Sequence, residues 1–453
     1  MLSRYLYIIV VLAAVAIAAP AAADTFVVDL LGTGDFETIQ EGLAAASSGD
    51  TVRVLEGTYT GAQNRALDFG GEGILLIADA GPAATVINCE GADRAFYFNS
   101  GEDTTAVVHG FTVTNGYGDA GGGGVYCLAS GAKFVDVIFS GNDAVSFGGG
   151  AYTNTGGVTV FDGCEFRGNE TGGSGGGAYT FNSTMIFRGT RFESNTAESW
   201  GGGVVSYSHG DVTLRDCDFY DNTADYGGGA YCYLIATLEV YGCTFTENTG
   251  TNGGGGIYCR DGETYIYGSN FIGNDTEGQA GGVRFFEATG ACAIGSVFFE
   301  NEAGYAGGAI ECNTCDPSIE RCTLVRNHAG SLGGGIFLYE SSPEIEATII
   351  AFGTSGHALY CDNIACEPTT TNCVIYQNAG GDSLCGTHTS NIFDEDPRFC
   401  GMLHGDFTHC ANSCCLPDNN PWDATIGAHG EGCPDCDTPV SAATWGRLKS
   451  LYR

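Results

Sequence analysis

Glycine tracts recur through this chain at intervals of 26 or 27 residues, ending at Gly124, Gly150, Gly177, Gly203, Gly229, Gly256, Gly282, Gly308 and Gly335. A second marker, Phe-x-x-Asn, keeps the same step. It begins at Phe139 and Asn142, passes through Phe166, Phe192, Phe219, Phe245 and Phe271, and reaches Phe298 and Asn301, with Leu324 and Asn327 closing the series. Two markers sharing one period define a structural unit, and self-similarity of this length signals a solenoid. Inside each unit the runs are short and alternating, as in "VTVFDG" and "CEFRGN", with no helical period. The unit is too brief for a propeller blade. One winding of the chain fits it, each turn landing on the last as parallel strands about 4.8 Å apart.

The glycines then have an architectural reason. A corner repeated in every coil needs the same sharp backbone angles, and stacked corners leave no room for side chains. No helix or Lys-Ser/Thr follows any tract, which excludes a phosphate-cradling loop. The asparagines are expected at another corner, taking left-handed φ and bonding to the coils above and below. After each tract comes a small or branched residue, usually followed by an aromatic one, as in Val125-Tyr126, Ala151-Tyr152, Ala178-Tyr179, Ala230-Tyr231 and Ile257-Tyr258, with Val205, Arg284 and Ile310 as exceptions. Because strand residues alternate faces, the small series is expected inside. Tyr126, Tyr152, Tyr179, Tyr231 and Tyr258 are expected as an external ladder, the candidate ligand-binding residues.

The first residues carry Arg4, an apolar run from Tyr5 to Ala19 and the small-residue site "APAAAD", the layout of a secretory signal peptide ending near Ala23. Twenty-one cysteines suit an oxidising compartment. Cys164, Cys217, Cys243 and Cys322 share the face of the Phe position and read as small core residues. Cys232 and Cys259 occupy equivalent places in adjacent coils and are candidates for a cross-coil bond. A net charge of −37 with two lysines excludes nucleic acid as a partner, and an acidic polysaccharide would need Ca²⁺ to bridge it; no other cofactor is called for. No stretch of the expected mature chain is long enough to span a bilayer.

The repeated "GGA-[I/Y]" with "F-x-x-N" resembles the repeats of polymorphic outer membrane proteins and, more broadly, right-handed parallel β-helix proteins. The stretch "GTGDFETIQEGLAAASSGDTVRVLEGTYTG" is similar to the opening of pectin-lyase-like β-helix proteins. There Phe36, Ile39, Leu43 and Ala46 fall on one helical face with Asp35 placed to cap, and "DTVRVLEGTY" reads as the first strand. The far end, from "DPRFCG" to "EGC", resembles the closing segment of some secreted β-helix proteins. That resemblance implies a cap stapled by Cys400, Cys410, Cys414, Cys415, Cys433 and Cys436. Cys312-x-x-Cys315 is expected as a structural disulfide too.

The chain is therefore expected to be all-β: a right-handed parallel β-helix solenoid of about a dozen coils, each of about 26 residues, with an N-terminal capping helix and a disulfide-stapled C-terminal cap. The divisions are residues 1–23 as signal peptide, 24–60 as cap and first strand, 61–390 as repeats, 391–436 as Cys-rich cap and 437–453 as a basic tail. No complete lyase, hydrolase or esterase motif is present, so no catalytic residue and no metal ligand is assigned. The role these features support is an exported adhesin or scaffold at the cell surface, contacting a polysaccharide or another cell surface. The alternative is a polysaccharide lyase or glycoside hydrolase of the pectin-lyase-like group.

Overall fold

A computed structural model describes residues 23–433. The signal segment, Cys436 and the basic tail lie outside the described residues.

A complete coil carries four short parallel strands, and the coils at the two ends carry fewer. In one representative turn the chain runs through Ala178–Phe181, Thr184–Arg188, Arg191–Glu193 and Thr196–Ala197 before the next glycine corner. Stacked coil on coil, these make four parallel sheets. Sheet I holds fifteen strands from Thr25–Val28 to Thr387–Thr389, and sheet II fourteen from Gly57–Tyr59 to Ile392–Phe393. Sheet III holds nine two- to five-residue strands from Tyr117–Gly118 to His328–Ala329, and sheet IV eleven from Phe96–Phe98 to Leu359–Cys361. Fifteen rungs in sheet I exceed the dozen coils expected, because the stack continues beyond both ends of the glycine-marked repeats.

The Phe series lies flat on itself inside the solenoid. Phe192, Phe219 and Phe245 stack at 4.5 Å between ring centroids, within 8° of parallel. Beside them runs a ladder of buried asparagines. From Asn142 to Asn301 each Nδ2 donates to the Oδ1 of the next Asn and to a main-chain carbonyl of the preceding coil; for Asn222 these are Asn248 and Phe192, both at 2.9 Å. The asparagines are not in the left-handed region, as the corner argument expected. The residue before each one is: Gly141, Gly168, Ser194, Asp221, Glu247, Gly273, Glu300 and Arg326 have φ between 51° and 63°. The carboxamide needs ordinary backbone to aim along the stack, so its neighbour takes the turn.

At the N-terminal end the helix Ile39–Ala45 buries Ile39 and Leu43 against the first coils. Its N-cap is Thr38, not Asp35; the Asp35 carboxylate instead accepts the Val27 N–H at 2.8 Å. Strand Thr51–Val54 is the second rung rather than the first, since Thr25–Val28 pairs with it in register.

The C-terminal segment does not sit on the end of the stack. Its three-stranded sheet, Phe399–Gly401, Asp406–Cys410 and Glu431–Cys433, packs sideways on the outer face of sheet II. Phe399, Met402, Phe407, Cys415 and Ile426 meet Val297, Phe299, Val325, Ile349 and Ala351 in a second core. Earlier rungs of sheet II carry charge on that face, as in Glu165, Arg167, Arg191 and Glu193. The apolar replacements are what the segment covers.

Cys400–Cys433 is a disulfide, Cys410 is also disulfide-bonded, and an additional bridge joins Cys361 to Cys385. Cys414 and Cys415 are corrected: both are free buried thiols, their sulfurs 4.0 Å apart. Cys312 and Cys315 are free as well, buried separately, the Cys315 thiol donating to the Phe285 carbonyl at 3.5 Å. Cys232 and Cys259 stand in register yet remain thiols, Cys232 donating to Ala236 O at 3.2 Å. Cys164, Cys217, Cys243 and Cys322 are buried and free, the small core residues expected; burial pushes the Cys164 and Cys322 thiols up to about 12.

His409 holds the side-packed segment in place. It is fully buried, its Nδ1 meets the Pro397 carbonyl at 3.0 Å, and Phe399 stacks on the ring at 5.2 Å. Burial drives its pKa below 6.5, against hydrogen bonds to Pro397 and Ile426 that raise it, while neighbouring His429 is lowered by burial and raised by Asp406. The unfolded segment therefore binds more protons than the folded one, so stability is full above about pH 6.5 and falls as pH drops below it. Protease cleavage within residues 398–433 is expected to accelerate between pH 7 and pH 5, and His409→Leu to flatten that dependence. A wild-type rate independent of pH would refute the assignment.

Candidate functional site: the outward face of sheet IV

Sheet IV follows the glycine corner, so its strands begin with an inward small residue and alternate from there. The inward series is as expected: Val125, Ala151, Ala178, Val204, Ala230 and Ile257 are buried in the core. The second residue of each strand points outward, and these stack in register as Tyr97, Tyr126, Tyr152, Tyr179, Val205, Tyr231 and Tyr258.

The ladder points out of the solenoid but is not exposed. Tyr152, Tyr179, Tyr231 and Tyr258 are between 2% and 7% accessible; Tyr97 and Tyr126 are half-buried. The chain approaching each glycine corner crosses this face and lays a second layer over it. Phe147 covers Tyr179 at 4.7 Å, Trp200 covers Tyr231 at 5.4 Å, and Tyr226 meets Tyr258 at 5.6 Å. Burial pushes the Tyr152 and Tyr258 phenols up to about 12 and those of Tyr179 and Tyr231 upward as well. The expected external ladder is therefore a small outer core. Tyrosine's apolar ring accepts a covering layer as readily as it accepts solvent.

What does reach solvent is the fourth residue of the same strands. Phe181, Tyr207, Tyr233, Arg260 and Phe286 follow one another in register on consecutive coils. The four aromatic rings are half-buried and Arg260 is exposed. Phe181 and Tyr207 lie 5.7 Å apart, Tyr207 and Tyr233 5.6 Å, and Trp200 meets Tyr233 edge-on at 5.5 Å. The Arg260 guanidinium bridges the next step, 5.4 Å from the Tyr233 ring and 5.5 Å from that of Phe286. The buried tyrosines fix these rings from beneath, so a ligand lying on them would not have to order them first. The sequence carried a signal for this row, an aromatic four residues after the glycines at the repeat spacing, but it is masked by the denser tyrosine series two positions earlier.

The row ends against a buried ion pair. Arg284 and Glu311 occupy the tyrosine position in the next coils, with Arg284 Nε 2.9 Å from Glu311 Oε2. Arg284 also lies over Tyr258 at 4.9 Å and Phe286 at 5.4 Å. Burial raises the Glu311 carboxyl while Arg284 lowers it.

Among the described residues the Sγ atoms of Cys400, Cys410 and Cys433 form the one convergent group of metal-ligand type. All three are disulfide-bonded, which leaves no thiolate for a metal. No helix among the described residues is long and apolar enough to cross a membrane.

A family model described as a right handed beta helix region matches residues 94–271. No curated protein matches the chain. Among solved structures, the chain is similar to a pectin methylesterase from carrot at 12% identity, over 82% of this chain and 88% of that one, with a TM-score of 0.22. It is similar to the Azotobacter vinelandii mannuronan C-5 epimerase AlgE6 A-module at 12% identity, over 79% and 93%, with a TM-score of 0.32. It is also similar to the Siphovirus 9NA tailspike receptor binding domain at 13% identity, over 82% and 76%, with a TM-score of 0.31.

Proposed function

We propose that this chain is an exported surface β-helix that binds a neutral polysaccharide along the strip Phe181–Tyr207–Tyr233–Arg260–Phe286. The observation that carries the reading is the strip itself: half-buried rings on four of five consecutive coils, bridged at the fourth by the Arg260 guanidinium and held by a paved layer below. Aromatic faces stack on the C–H faces of sugar rings, and Tyr adds a hydroxyl at its edge. A polysaccharide repeats along its length as the coils do, so each added sugar meets another ring or the Arg260 guanidinium. An acidic polymer is disfavoured by the net charge of −37. Binding without turnover fits a role as adhesin or scaffold.

The test is affinity electrophoresis of the purified mature chain in gels containing neutral or acidic polysaccharides, with an assay for new chain ends run in parallel. Retardation by a neutral polymer is expected. Tyr207→Ala and Tyr233→Ala should each weaken it about tenfold, the equivalent of about 1.4 kcal/mol. Cleavage of a polymer would replace the binding reading with the enzymatic one, and retardation unchanged in the double variant would move the site off this strip.

A further inference from the structure

Three sulfurs converge in the side-packed segment. The Sγ atoms of Cys400, Cys410 and Cys433 lie within 4.8 Å of one another, although they belong to two different disulfides, Cys400–Cys433 and the bond made by Cys410. The strand order explains why. Asp406–Cys410 is the middle strand, with Phe399–Gly401 on one side and Glu431–Cys433 on the other. The Cys400–Cys433 bond therefore spans the middle strand and passes beside the Cys410 sulfur. Cys410 stands opposite Cys433 in the pairing of their two strands. Neighbouring strands lie about 4.8 Å apart, within the Cα separation of about 4.4 to 6.8 Å that a disulfide bridges. A Cys410–Cys433 bond would thus close between adjacent strands without displacing either.

Access sets the order of events. Cys400 and Cys433 are half-buried, whereas Cys410 is fully buried. A small monothiol therefore reaches the Cys400–Cys433 bond and not Cys410. Its thiolate attacks Cys400 Sγ, the S–S bond breaks, and the electron pair leaves on Cys433 as a thiolate. That thiolate forms within 4.8 Å of Cys410 Sγ. Attack there makes a Cys410–Cys433 bond, and the sulfur previously bonded to Cys410 departs as a thiolate and takes a proton from water. The products are a mixed disulfide on Cys400, a Cys410–Cys433 bond and one new thiol. One thiol is consumed and one appears, so no oxidant is required. Cys400 is the only cysteine on strand Phe399–Gly401. Exchange removes the covalent tie of the strand that carries Phe399 over the apolar rungs of sheet II, while the other two strands stay joined. We propose that these three sulfurs form a thiol-triggered clamp, in which a small monothiol moves the bond on Cys433 from Cys400 to Cys410 and releases strand Phe399–Gly401.

The mature chain treated with reduced glutathione at about pH 8, quenched with acid, alkylated and digested without reduction tests it, its linked peptides being read by mass spectrometry. Before treatment Cys433 should be bonded to Cys400. Afterwards it should be bonded mainly to Cys410, with glutathione on Cys400, and amide exchange in Phe399–Gly401 should accelerate at least tenfold while sheet I is unchanged. In Cys410→Ser the Cys433 thiolate has only Cys400 to return to, so the glutathione adduct should fall at least fivefold. Should that variant fail to fold, the wild-type pairing and exchange decide alone. Cys433 recovered only with Cys400 or as an alkylated thiol would overturn the proposal. So would a Cys400–Cys410 pair, which keeps the strand tied, or unchanged exchange in Phe399–Gly401 once the pairing has shifted.

Discussion

Replacing Asn222 by alanine is expected to destabilise the middle of the solenoid by about 3 to 5 kcal/mol, a loss readable as a lowered urea midpoint and as faster amide exchange in the flanking coils. The number follows from what is left behind. The Asn222 Oδ1 accepts from the Asn195 main-chain N–H at 3.0 Å and from Asn195 Nδ2 at 2.9 Å, and its own Nδ2 serves the Phe192 carbonyl at 2.9 Å. Truncation strands two donors and one acceptor in a fully buried row where water has no access. Asn222→Asp is a sharper control. It keeps the acceptor but removes the donor to Phe192 and to Asn248 Oδ1, and it buries a charge beside two oxygens, so it should cost at least as much as alanine. In a solenoid each coil contacts only its neighbours, so protection should fall mainly between residues 190 and 250. A midpoint shifted by less than about 1 kcal/mol would mean that the ladder is ornament and that the Phe stack alone sets the register.

The stack of coils was legible because its cause is local and repeated. Glycine at the corner and Asn beside the Phe stack each answer a constraint that recurs in every turn, so the sequence prints them eight or nine times over. The alternation rule also sorted sheet IV correctly: Ala151 and Ala178 face in and Tyr152 and Tyr179 face out. It could not tell outward from exposed. Phe147 and Trp200 cover the tyrosines from a row that keeps the repeat spacing but not the residue type, with Ser174 between them, so no run of aromatics announces a covering layer. The sideways C-terminal segment was missed for a different reason. Its docking surface is written as apolar residues on both sides of the Phe position, Val297 and Phe299 or Ile349 and Ala351, a departure from the polar pattern of Glu165 and Arg167. That departure says the face is covered without saying by what.

Gly176→Ala is expected to be worse than any single core truncation in its coil, whereas Gly168→Ala eight residues away should be mild. The contrast separates two reasons for glycine. A Cβ on Gly176 would lie 2.6 Å from the Gly202 carbonyl oxygen and 2.7 Å from both the main-chain N and O of Thr196. All three are backbone atoms of stacked coils, Thr196 N–H is already bound to Asn169 O at 2.9 Å, and none can retreat without opening the ladder. Gly168 has φ +57° but open space around its Cβ position; its counterparts in neighbouring coils are Ser194, Asp221 and Glu247, which pay the same left-handed cost, about 1 to 2 kcal/mol. Gly176→Ala should therefore lower the urea midpoint several times more than Gly168→Ala, or prevent the chain from accumulating in folded form, and a Gly168→Asn variant should recover most of what Gly168→Ala loses, because Asn tolerates the left-handed region. Equal effects at the two positions would mean that backbone conformation, and not the closeness of one coil to the next, is what the glycine tracts supply.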